Sequence, residues 1–192
     1  MRKPKIDPYD KALFMDITIR QENPGDYPAV AEMIKSAYKN VDYSDHREQF
    51  MVERLRSSGA FIPELSLVAE AGHKIVGHIM LTRIVIRNQQ EAIVSLCLAP
   101  LSIVPEFQGQ GVGTQLVTDA HRIAKELGYR SVTVLGHPKY YPRFGYEPMK
   151  KHGIQVPFDI REENCMIVSL TEYGLTGVRG KVEYPLEFMD QV

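Results

Sequence analysis

Cysteine is scarce in this chain. Cys97 and Cys165 are the two it has in 192 residues, far apart and at no metal-ligand spacing, so no metal site is expected. Cys97 falls in an apolar run and reads as a small core residue. This usage fits a reducing compartment, and a cytoplasmic location is the expectation. Charge of one sign is also lacking. Lys and Arg number 23 against 24 Asp and Glu, a net charge of −1, which excludes a general affinity for nucleic acid. No apolar run reaches the roughly 18 residues of a membrane helix, so no membrane partner is expected. Residues 1–16 are basic and broken by proline, and they hold no apolar stretch of the signal-peptide kind. They read as a partly ordered N-terminal extension. Internal repeats and low-complexity tracts are absent as well.

What remains is an ordinary globular composition, 44% hydrophobic and 24% charged. The length suits one domain, or one with a small extension. Its most informative stretch is Pro105-Glu106-Phe107-Gln108-Gly109-Gln110-Gly111-Val112-Gly113-Thr114. An apolar run, residues 96–104, precedes it and an amphipathic helix follows. Strand, glycine turn and helix start together form an anion cradle, with closely spaced amides and the positive end of a helix dipole. A Walker A loop would need Gly-Lys-Ser/Thr, but Gly113 is followed by Thr114 and Gln115. That argues against a nucleotide hydrolase. A dinucleotide fingerprint would need G-x-G-x-x-G and an acid about twenty residues on. This loop reads G-x-G-x-G, and the next strand, residues 131–135, carries no acid. Two readings remain: a pyrophosphate loop of the form Q-x-x-G-x-G, or an ordinary strand–helix turn.

The order of elements follows from periodicity. Residues 17–20 alternate as a short strand. Asn23-Pro24 opens a helix with Val30, Ile34, Ala37 and Tyr38 on one face. Ser44 or Asp45 can cap a second helix running to Arg56, with Phe50, Leu55 and Met51 as inward residues and Gly59 as its stop. Residues 65–71 and 74–87 flank the hairpin signal Gly72-His73. Residues 91–104 form the next strand, and Pro100 should break it at a bulge or edge because it cannot donate to a ladder. The helix of residues 111–127 has a stripe of Leu116, Val117, Ala120, Ile123, Ala124 and Leu127. Residues 131–135 are a strand, and residues 138–144 are a short helical turn ending at Gly145. Residues 154–158, 166–170 and 181–184 are weaker strands. The pattern is α/β with a mixed sheet.

Gln108-x-x-Gly111-x-Gly113 together with Tyr141-Pro142-Arg143-Phe144-Gly145-Tyr146 resembles the GNAT superfamily of acetyl-CoA-dependent N-acetyltransferases, and the run from Ala99 to Pro105 with that from His137 to Tyr146 looks like its YhbS-type branch. Two motifs in the right order are far more specific than either alone. The resemblance spans residues 17–170. It implies a GNAT fold, a mixed central sheet with a splayed strand pair flanked by helices, with residues 171–192 as a C-terminal extension packed on the same domain. It implies acetyl-CoA as the donor and a small-molecule or peptide amine as the acceptor, in a monomer or homodimer. By position, the backbone of Leu101, Ser102 and Ile103 would hold the pantetheine arm. Gln108 and the amides of Gly109, Gln110, Gly111, Val112, Gly113 and Thr114 would hold the pyrophosphate. Glycine suits positions 111 and 113 because a Cβ would obstruct the approach of phosphate.

The chemistry so implied is direct attack of an amine on a thioester, which needs one proton removed and one supplied. Tyr141, four residues before Gly145, matches the family's thiolate acid and also lies beside the cofactor. Tyr140 is the fallback. Many relatives have an asparagine soon after the fifth strand that helps to hold the cofactor; here Gly136-His137-Pro138 stands instead. His137 can cap the short helix, touch the cofactor or act as a base. The strands 94–98 and 131–135 carry no acid. Asp42, Asp45, His46 and Glu48 lie in the region between the first two helices, and none of them stands out as a base. A second function fits the same loop: an acyl-CoA-binding regulatory or sensing module without turnover. Fold alone does not separate the two.

Overall fold

Ile17–Gln21 forms β1, and Asn23 then closes a capping box with Asp26 over a single 3-10 turn at Pro24–Asp26. The helix α1, Tyr27–Tyr38, buries Val30, Met33, Ile34 and Ala37. The helix α2, Glu48–Arg56, buries Gln49, Val52 and Leu55. The structure, a computed structural model, describes residues 16–42 and 44–189. The N-terminal extension expected at residues 1–16 therefore lies, but for Asp16, outside the described residues, as does the end of the expected C-terminal extension. Phe50 was expected inward and is instead 46% exposed. The helix starts at Glu48, and the 3.6-residue period from there carries Gln49, Val52 and Leu55 to the core and Phe50 outward. Ser44 and Asp45 do not cap the helix itself. Their side chains accept the amides of His46 and Arg47 in the turn before it.

A long meander follows: β2 Ser66–Ala71, β3 Lys74–Arg87 and β4 Ala92–Ile103. Gly72, with φ of 62°, makes the first hairpin turn. The helix α3, Val112–Glu126, then leads to β5, Ser131–Leu135. Leu127 lies past the last turn of α3 and is 45% exposed, not part of the buried stripe. The expected helix at residues 138–144 is a 3-10 turn, Tyr141–Phe144, stopped by Gly145 at φ of 87°. Short strands β6 Glu147–Pro148 and β7 Ile154–Gln155, then β8 Cys165–Ser169 and β9 Gly180–Glu183, complete the chain.

One mixed sheet contains all of these strands, in the order β1-β2-β3-β4-β5-β8-β6, with β9 paired to both β3 and β7. Helix α1 packs on β3 and β4, and α3 on β2 and β3. Strand β4 is not broken at Pro100. Leu81 faces Leu98 and Ile79 faces Leu101, so β4 spends one more residue than β3 between the same two pairs. That is a bulge, placed at Ala99-Pro100. Just before it, β4 and β5 pair in parallel at Leu96–Val132 and Cys97–Thr133, and the pairing stops there. Beyond the bulge the two strands diverge, opening a gap in the middle of the sheet.

Candidate active site

Two left-handed glycines shape the loop at the end of β4. Gly109 has φ of 72° and Gly111 of 85°, and Gly111 directly precedes α3. L-residues reach this conformation only at a cost, so glycine is the natural occupant. The Gln108 and Gln110 side chains turn back on the loop. The Gln108 Nε2 donates to the Ile103 carbonyl at 2.9 Å, and the Gln110 Nε2 to the Glu106 carbonyl at 2.7 Å. Both brace the loop on its own backbone. Among the described residues the amides of residues 109–114 meet no backbone acceptor; the first that does is Gln115, bonded to the Gly111 carbonyl at 3.0 Å. Val112 is buried and pins the helix start, leaving only its amide to the loop. A row of amides without backbone acceptors at the positive end of a 15-residue helix is an arrangement that favours an anion.

The gap between β4 and β5 leads away from this cradle. The Val104 amide bonds the Val76 carbonyl at 3.0 Å. By antiparallel alternation Ser102 then turns its backbone toward β3, and Leu101 and Ile103 turn theirs toward the gap. Two contacts agree with this. The Ile103 carbonyl accepts from Gln108, and the Tyr38 hydroxyl approaches the Leu101 carbonyl at 3.5 Å. Leu101 and Ile103 therefore face the site. Ser102 was expected beside them, but its backbone belongs to the β3 ladder, and its side chain is buried on the other face, opposite His78.

The adjacent tyrosines go to different places. The Tyr140 phenol reaches over the loop: a Cβ built on Gly113 would lie 2.7 Å from its oxygen. Its hydroxyl is hydrogen-bonded to the Thr114 side chain, and burial raises its pKa against that bond and the nearby Arg143. The Arg143 guanidinium stacks on the Tyr140 ring at 4.6 Å. Tyr141 turns inward, only 8% exposed, with its ring edge-on to Tyr140 and Tyr146. It lies against the end of β5, where a Cβ on Gly136 would meet the ring at 2.3 Å. Gly136 is thus required by contact, a role its sequence context alone did not single out.

Loop, gap and tyrosines line one open cleft of about 1160 Å³. His137 is on its rim, and its Nδ1 accepts the Lys139 amide at 3.2 Å, a capping role for that turn. Some cleft residues were invisible to sequence reasoning because they come from distant segments. Asn164 reaches in from the turn before β8 and donates to the Gly136 carbonyl at 2.9 Å. It is an asparagine at the end of β5 in space, though not in sequence. Tyr38 was read only as an apolar stripe residue. Glu48 and Met51 bring α2 to the same wall, and of the four polar residues noted between the first two helices only Glu48 lines the cleft.

Comparison with known proteins agrees with this geometry. A family model for an acetyltransferase (GNAT) domain matches residues 63–148. The uncharacterized N-acetyltransferase YjhQ of Escherichia coli K12 is 38% identical over 134 residues, covering 68% of this chain and 74% of that protein. The uncharacterized N-acetyltransferase YhbS of the same strain is 28% identical over 170 residues, covering 88% and 97%. The crystal structure of Escherichia coli YhbS in complex with CoA matches with a TM-score of 0.82, 28% identity and 96% coverage of both chains. A GNAT family acetyltransferase from Brucella melitensis in complex with acetyl-CoA matches with a TM-score of 0.75 and 26% identity, over 91% of this chain and 99% of that one.

Proposed function

This chain belongs to the GNAT family of acetyltransferases, and we propose that it transfers the acetyl group of acetyl-CoA to a primary amine by direct attack within a ternary complex. The observation that carries this reading is the β4–β5 gap, whose cleft is lined both by the glycine loop with its unpaired amides and by Tyr141. The CoA-bound and acetyl-CoA-bound relatives support the same choice of donor.

Each part has a role in this reading. The amides of Gly109, Gln110, Gly111, Val112, Gly113 and Thr114 hold the pyrophosphate, with Gln108 bracing the loop. The gap-facing backbone of Leu101 and Ile103 holds the pantetheine arm, as an added strand would be held. The amine attacks the thioester carbonyl carbon once its ammonium has lost a first proton to solvent. The carbon–sulfur bond then breaks, and Tyr141 gives its phenolic proton to the leaving thiolate. The amide keeps one N–H, the second proton goes to solvent, and Tyr141 is reprotonated from water.

Calorimetry with CoA, NAD and ATP, followed by thiol release from acetyl-CoA with a panel of amines, tests the proposal. CoA binding with amine-dependent thiol release is expected. Micromolar NAD binding without CoA binding would overturn the donor assignment. CoA binding without thiol release from any amine would leave a binding module and remove the catalytic claim.

A further inference from the structure

We propose that Glu48 is the counter-ion for the acceptor's ammonium, and that the acceptor is a cationic primary amine on an apolar body. The inference rests on the acetyltransferase reading above. Glu48 is the first residue of α2, at the positive end of the helix dipole. One carboxylate oxygen, Oε1, is held by the Ser44 hydroxyl, whose own oxygen accepts the His46 amide at 2.9 Å. The other oxygen, Oε2, is buried and has no hydrogen-bond partner among the described residues. A buried carboxylate oxygen left without a donor is costly, and such groups in native proteins call for an explanation. Here the side chain also lines the catalytic cleft. An ammonium arriving in the cleft would supply the missing donor.

The neighbourhood narrows the class of acceptor. Met51 follows Glu48 by three residues on the same face of α2 and lines the same wall, with Tyr38 from α1 and Leu101 from β4. The second carboxylate on the cleft, Glu163, already faces Arg161 at 3.8 Å, and both are largely exposed. Arg143 is stacked on Tyr140, on the cradle side. Lys139, the other cation of the cleft, belongs to the turn after β5 with His137, so α1, α2 and β4 bring to the cleft one anion, Glu48, and apolar surface. An amine fits that surface. An α-amino acid would bring a second carboxylate against Glu48, where like charges oppose binding.

Paired acceptors test the inference: phenethylamine with phenylalanine, tyramine with tyrosine, histamine with histidine, and cadaverine with lysine. In each pair that reacts, the amine without the carboxylate is expected to have a kcat/KM at least tenfold higher. Glu48→Gln keeps the shape of the side chain and removes the charge. It is expected to raise KM for the best amine at least tenfold, to change kcat less than threefold, and to leave CoA affinity as in wild type, which also reports that the variant is folded. Glu48→Asp should recover part of the KM. If Glu48→Gln does not fold, Ser44→Ala, which frees Oε1, is expected to raise the same KM. A KM for the best amine within twofold of wild type in the folded charge-free variant would overturn the proposal, as would preference for the carboxylated partners. Wild type that releases no thiol with any amine sinks the acetyltransferase reading first, and this one with it.

Discussion

Tyr140 and Tyr141 are neighbours in sequence whose side chains go to different places. The resemblance made Tyr141 the expected proton donor and Tyr140 the fallback. The Tyr140 phenol lies over the amide cradle at Gly113 and Thr114, where phosphates are proposed to bind. Tyr141 lies against Gly136, at the end of β5 beside the gap. Tyr141→Phe removes only the hydroxyl. Its kcat is expected to fall by about 10²-fold, with acetyl-CoA affinity little changed, because the donor matters as charge develops on sulfur. Tyr140→Phe should instead act mainly on cofactor affinity. Steady-state kinetics and calorimetry on both variants separate the roles. Turnover of Tyr141→Phe within twofold of wild type would move the acid to Tyr140 or to solvent. Gly136→Ala is a second probe of the same contact. The added methyl must displace the Tyr141 ring, so it should lower kcat without touching the cradle.

The element that most constrains the site is the unit made of the end of β4, the glycine loop and the first turn of α3. The sequence announced it, because its signals are local: an apolar run, Pro100, glycines at fixed spacing and a clean helical stripe. Local signals also sufficed for the hairpin at Gly72 and the stop at Gly145. Phe50 and Leu127 were misread because a stripe extrapolated past a helix end, or begun one residue off, points to solvent. Ser102 was misjudged because strand alternation depends on which neighbour a residue bonds, and that is a tertiary fact. Glu48, Met51 and Asn164 reach the cleft only through folding, so no motif could reveal their proximity. A prediction belongs to this scale. Gly111→Asp places a negative charge among the amides proposed for the pyrophosphate, at a φ of 85° that disfavours any side chain. Loss of two charge-assisted bonds is worth about 3 kcal/mol, roughly a hundredfold in CoA affinity. A Cβ at this position meets nothing within 4 Å, so the fold should persist. Calorimetry on the folded variant checks it, and wild-type affinity would place the pyrophosphate elsewhere.

For the molecule as a whole, a buried polar cluster of Glu22, Arg56, Ser66 and His78 stands apart from the cleft, whose lining includes none of the four. Glu22 holds Arg56 of α2 by a short ion pair and accepts the Ser66 hydroxyl at 2.7 Å. With the Ser66 proton committed to Glu22, the His78 Nε2 at 3.2 Å from Ser66 must be the donor, and Nδ1 is left without a partner among the described residues. His78 is fully buried. Burial, aided by the Arg56 charge, lowers its pKa to about 3. Burial likewise lowers His121 on α3, bonded to the Tyr146 hydroxyl at 2.9 Å, to about 4. Both folded values lie below the unfolded value of about 6.5. The unfolded chain therefore takes up protons first as pH falls, and stability is full above pH 6.5 and drains away below it. Each histidine contributes a slope of at most about 1.4 kcal/mol per pH unit in that window. From pH 7 to 5, where carboxylates scarcely titrate, the two together should remove up to about 4 kcal/mol of unfolding free energy. Urea unfolding at the two pH values measures this loss. His121→Gln retains a hydrogen-bonding amide near Tyr146 but does not titrate, so it should lose only about half as much over the same interval. An equal loss in wild type and His121→Gln would mean that His121 is not held neutral, and the pH sensitivity would then belong to His78 or to groups outside both clusters.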